Sequence, residues 1–221
     1  MTELSIVRRE ISAATFGTVA GLAQRARYLR NAGIFTEHFV DGMTWFMDRL
    51  YYEQRLDQRY GRFQFPDQSP LVYAVGELGR PARQRDRTGA RPIINISNQV
   101  VQSYYAALEY LCKPGEQPDK YGEVVKLDVS NVLLMNERAV ELGRLIADAK
   151  LEKEPKLRDC APEELRERLR DEERERQVIA EAVRYGTALG LHTDHVWRFF
   201  KELIAMTLDV QVKYIEHAKS I

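Results

Sequence analysis

Residues 171–211 read DEERERQVIAEAVRYGTALGLHTDHVWRFFKELIAMTLDVQ, and their spacing decides the fold. From Asp171 to Ala188 the apolar residues return at three- and four-residue steps, which on a helix of 3.6 residues per turn makes one buried stripe. Gly190 is a natural C-terminal stop, and Thr193 or Asp194 can cap a last helix running through His217. Val196, Phe199, Phe200, Leu203, Ile204 and Leu208 mark the core face of that helix.

Upstream the same period recurs between breakers. Ile11, Ala14, Val19, Leu22 and Ala26 predict one long helix from about Ile6 to Ala32, stopped by Asn31-Ala32-Gly33. Phe39 to Tyr60 predicts a second, closed off by Pro66 and Pro70, and Ile94 to Leu111 a third. Val124 to Lys150 predicts a fourth through Val132, Met135, Leu142 and Ile146, and Pro162 with the acids after it starts a short one. Gly76 to Pro92 has no period and reads as a surface loop, and Leu151 to Asp159 as an irregular charged stretch. No strand-like alternation competes, so the expectation is an all-α fold, a single domain over residues 1–221, dimerising through broad apolar helix faces.

Composition narrows the function. Lys+Arg and Asp+Glu both total 33, so no basic field exists to hold a nucleic-acid backbone. Arg8, Arg9, Arg25, Arg27 and Arg30 interrupt any apolar run before it reaches signal or membrane-spanning length, which points to a cytoplasmic protein without a membrane partner. Cys112 and Cys160 have neither a pairing motif nor matched histidines, and His192 and His195 lack a third ligand in frame, so no metal or cofactor is expected.

The remaining candidates are polar residues at helical spacing. Asp171 and Glu175 stand four apart, placing two carboxylates on one face where a single ligand hydroxyl could meet both. Thr207 and Gln211 repeat the spacing beside the last apolar stripe, where buried polar groups need partners. Lys150 closes a helix at Ala147-Asp148-Ala149-Lys150, the usual place for a cation near the negative end of the helix dipole.

In the opening stretch, an acid at Asp171, Arg174-Glu175, a Gly190-Leu191 turn and Thr207-x-x-x-Gln211 follow in order without a gap, and this run resembles the C-terminal half of the helical chorismate mutases. FQFPDQSPL (63–71), INISNQVVQSYY (94–105) and LGRLIADAKLEKEP (142–155) extend the resemblance along nearly the whole chain, toward the family's larger eukaryotic-type branch. The resemblance implies rearrangement of chorismate to prephenate in phenylalanine and tyrosine biosynthesis. That step is pericyclic and needs neither nucleophile nor cofactor, only a held conformer and stabilised charge. By position, Lys150 and Gln211 correspond to the donors to the breaking ether oxygen, and Arg8 and Arg174 to carboxylate ligands. Asp171 and Glu175 correspond to acceptors for the ring hydroxyl, with Thr207 supporting the pocket.

The family's central arginine lies eleven residues before the lysine, where this chain has Ala139; Arg138 is the nearest replacement. An eleven-residue step returns to about 20° from the starting direction, whereas the twelve residues from Arg138 to Lys150 leave about 120°. One inserted residue would restore alignment, so a π-bulge is expected between Arg138 and Lys150, near Gly143. Gln211 stands where eukaryotic-type enzymes carry a glutamate, and an amide donates at any pH, so no acidic optimum is expected.

The family's effector site for aromatic amino acids falls within 61–126. Its Arg-Arg pair reads Gly61-Arg62 here, and its small hydroxyl residues read Glu123 and Lys126, which implies weak feedback regulation. Two other readings stay open: a lyase on the same fold eliminating pyruvate from isochorismate, and a non-catalytic interaction protein retaining the scaffold.

Overall fold

The computed structural model describes residues 3–61, 71 and 94–218, with the side chains of 3–6, 8 and 40 outside that description. The fold is all-α. Helix α1 (Glu3–Arg25) is followed by one turn, α2 (Gly33–Thr36), and a small hairpin of β1 (His38–Val40) and β2 (Met43–Thr44). Then come α3 (Trp45–Arg59), α4 (Ser97–Leu111), α5 (Tyr121–Asn136), α6 (Leu142–Lys153), α7 (Pro162–Leu169), α8 (Glu172–Ala188) and α9 (Thr193–Ala218). The loop expected at Gly76 to Pro92, with Pro66 and Pro70, lies outside the described residues.

The C-terminal half matches its sequence signals closely. Pro162 opens α7 with Glu163 and Glu164 in its first turn. The Asp171 side chain caps α8 by accepting from the Arg174 N–H. At the other end Gly190, at φ 83°, turns the chain while the Leu191 N–H reaches the Gly186 carbonyl and the Gly190 N–H that of Thr187. This pair of bonds is the Schellman stop that a left-handed glycine permits.

The N-terminal half departs from expectation in two places. Helix α1 ends at Arg25 instead of near Ala32, because the buried Arg25 guanidinium draws the next carbonyls toward itself, donating to Leu29 O at 2.8 Å and Arg30 O at 2.6 Å. The second helix starts at Trp45 instead of Phe39, because Asp41 (φ 47°) and Gly42 (φ 76°) make a tight hairpin turn and Thr44 caps α3. Asp-Gly is the ordinary signal for such a turn, and it was legible at 41–42.

Apolar faces of all the long helices meet in one core, where Val19, Leu22, Leu108, Val132, Phe200 and Leu203 are fully buried. Each such side chain contributes about 1.5–3 kcal/mol of burial. Helix α1 packs on α5, α6 and α8, and α9 on α6, α7 and α8. Two glycines set how near these helices come. A Cβ on Gly21 would lie 2.0 Å from Asn131 Oδ1 of α5, and one on Gly143 would lie 3.0 Å from Val210 and 3.2 Å from the Thr207 carbonyl of α9. The second close approach brings α6 against α9.

Candidate active site

Between α5 and α6 the helix does not run regularly. Residues Glu137–Glu141 form a π turn, in which the Leu142 N–H bonds back five residues to the Glu137 carbonyl. The extra residue needed to realign Arg138 with Lys150 is therefore present, just before Gly143, and the chain continues as α6 without a break. Both side chains face the same cavity.

That cavity holds about 300 Å³ and opens between α1, α6, α8 and α9. Val7 and Ile11 of α1, Leu142 and Ile146 of α6, Leu169, Val178 of α8, and Ile204 and Leu208 of α9 form apolar walls. Into it come Arg138, Lys150, Lys153, Arg174, Asp171, Glu175, Thr207 and Gln211. Seven of the eight site residues expected from the sequence are thus assembled; the eighth, Arg8, sits on α1 one residue past Val7, and its side chain lies outside the described residues. Lys153 is an addition that the sequence did not single out, although a cation three residues past Lys150 shares its helix face. Four cations against two carboxylates leave a formal charge of +2 on the lining, apt for a dianion.

The polar groups hold one another. Lys150 Nζ donates to the Leu169 carbonyl at the end of α7 and to Gln211 Oε1 at 3.3 Å. Gln211 Nε2 makes a long 3.4 Å bond to the Thr207 carbonyl, and the Thr207 hydroxyl donates to Leu203 O at 2.8 Å. Burial pulls the Lys150 pKa below its usual value, against the upward pull of Asp171 and Glu175. Asp171 sits at the cap of α8, so it reaches the cavity from the helix end and not from a face shared with Glu175.

Arg138 is only 4 % exposed, and burial lowers its pKa to about 10, so it stays charged at neutral pH. Its Nε has no hydrogen-bond partner. The ring of Phe200 lies beneath it, 5.4 Å from Cζ to centroid. His192 and His195, with rings 4.9 Å apart at the start of α9, line no part of this cavity.

Residues 121–212, which carry the π turn and all eight polar lining residues from Arg138 to Gln211, match the family described as Chorismate mutase type II. Among solved structures the chain is similar to the chloroplast chorismate mutase of Zea mays, with TM-score 0.82 and 21 % identity, covering 100 % of this chain and 96 % of that one. It is also similar to a chorismate mutase of Candida albicans in complex with L-Trp, with TM-score 0.80 and 14 % identity over 96 % and 90 % of the two chains. An Arabidopsis chorismate mutase with tyrosine bound in its allosteric site gives TM-score 0.79 and 20 % identity over 97 % and 95 %. At such identities these likenesses speak for the fold. No curated protein matches the sequence.

Proposed function

We infer that this chain, whose segment 121–212 matches the type II chorismate mutase family, is an isomerase that rearranges chorismate to prephenate for aromatic amino acid biosynthesis. One observation carries the assignment of the site: a π turn brings Arg138 into the same cavity as Lys150, Arg174 and Gln211. The rearrangement breaks a carbon–oxygen bond and forms a carbon–carbon bond in one step, so the protein need only hold the compact conformer and stabilise charge on the ether oxygen.

The two substrate carboxylates require fixed cations, and Arg138, Arg174 and Arg8 serve there. Lys150 and Gln211 donate to the ether oxygen, which gains negative charge as its bond to the ring breaks. For Gln211 to do so, its Nε2 exchanges the long bond to Thr207 O for the ligand. Asp171 and Glu175 accept from the ring hydroxyl, and Lys153 adds to the field that attracts a dianion. The apolar walls keep water from competing for these donors.

Among the described residues no helix is long and apolar enough to cross a membrane. We assign the chain to the cytoplasm, as one domain acting in a homodimer. The assignment of function is tested by chorismate depletion with product identification. Prephenate is expected, with turnover lowered about 10²–10³-fold in Lys150→Ala; pyruvate released from isochorismate, offered separately, would instead assign the lyase chemistry, and turnover of neither substrate an interaction role.

A further inference from the structure

We propose that Phe200 is a positioning residue for Arg138, its ring holding the guanidinium from behind so that the N–H fork faces the cavity. The proposal rests on the chorismate mutase reading and deepens it.

Arg138 is a buried cation without a counter-charge: among the described residues no carboxylate pairs with it, and its Nε has no hydrogen-bond partner. Something must offset the loss of hydration, because an isolated buried charge is costly. The group in place is the Phe200 ring, 0 % exposed on α9, whose negative π face lies 5.4 Å from Cζ. Phe199 holds that ring edge-on, at 5.8 Å and 62°.

The choice of an aromatic ring has a chemical consequence. A carboxylate partner would occupy the same fork of donors that a substrate carboxylate must use. A π face attracts the delocalised cation over its plane and leaves the N–H edges free. Phe200 does not itself line the cavity, whereas Ile204, Thr207 and Gln211, one to three turns further along α9, do. Helix α9 thus presents ring and ligand groups in one register, and Arg138 meets the first while lining the cavity with the second.

Replacing Phe200 by 3,4,5-trifluorophenylalanine keeps the shape and withdraws electron density from the ring. The expected result is a kcat/KM lowered about three- to tenfold, mostly through a raised KM, with the thermal unfolding midpoint unchanged. An unchanged kcat/KM in the fluorinated protein overturns the proposal, as does a loss that follows a falling midpoint, since either makes the ring mere packing. Failure of the underlying reading is separate: it appears in the unmodified protein as absence of prephenate.

Discussion

At the scale of single residues, proton inventory decides how the site responds to pH. The Lys150 ammonium has three N–H groups; one goes to Leu169 O and one to Gln211 Oε1, which leaves the third for the ligand. Only the protonated form donates, and burial lowers its pKa, so kcat/KM should fall as pH rises through a value below the usual 10.5. Lys150→Arg should push that alkaline limb to higher pH, and a limb unmoved by the substitution would belong to another group. Lys150→Ala should lower kcat by about 10²–10³, the usual cost of losing one donor to a developing oxyanion. Gln211 makes the complementary prediction. Its amide does not titrate, so the rate should be level between about pH 5 and 8. In Gln211→Glu the ionised carboxylate can accept from Lys150 but cannot donate, so activity at neutral pH should drop and recover as the medium becomes acid. A variant profile parallel to that of the wild type would remove Gln211 from the list of donors.

At the scale of elements, the π turn is the part on which the site depends. It adds one residue to the path from Arg138 to Lys150, and the added residue undoes the roughly 120° misdirection of a twelve-residue α-helical step. Deleting Ala139 should therefore let Glu137–Leu142 relax into regular α-helix with an eleven-residue step and both side chains still in the cavity. We expect this deletion to keep kcat/KM within about tenfold of wild type, whereas Arg138→Ala should lose about 10² or more. A deletion as damaging as Arg138→Ala would mean that the turn does more than keep register. This bulge was legible only through the resemblance, which puts an arginine and Lys150 on one face, across an interval that a plain helix from Arg138 cannot bridge. Asp171, read as sharing a helix face with Glu175, caps α8 instead, whereas the Gly190 stop was legible, being local chemistry. The early end of α1 was not, since the Arg25 that ends it is drawn inward by Asp128, 103 residues away. Lys153 was not legible either, because nothing in its neighbours distinguishes a cavity cation from a solvated one.

At the scale of the molecule, the N-terminal half is tied together by a polar core that has no part in the cavity. Arg25 and Asp128, both 0 % exposed, pair at 2.6 Å; Tyr104 donates to the same oxygen at 2.6 Å, and Asn131 bridges Tyr104 to the Gly21 carbonyl. Asp128→Ala would leave the Arg25 charge buried and uncompensated, and should cost about 3 to 5 kcal/mol in denaturant unfolding. The same half raises the question of control. Two of the similar structures hold tryptophan or tyrosine, the latter in an allosteric site. A zwitterionic effector needs donors for its carboxylate and acceptors for its ammonium. At the start of α5, Lys120 and Glu123 already pair with each other at 3.7 Å, and Glu123 and Lys126 stand, exposed, where the resemblance puts small hydroxyl residues. Gly61 stands in place of one arginine, while Arg62 lies outside the described residues. The Lys120–Glu123 pair and the replacement of the small donors are the ground for expecting weak regulation. Chorismate turnover should then change less than about twofold in saturating L-tryptophan or L-tyrosine, well short of the roughly five- to 150-fold coupling of effective allostery. A several-fold response to either would show that other groups have taken over effector binding.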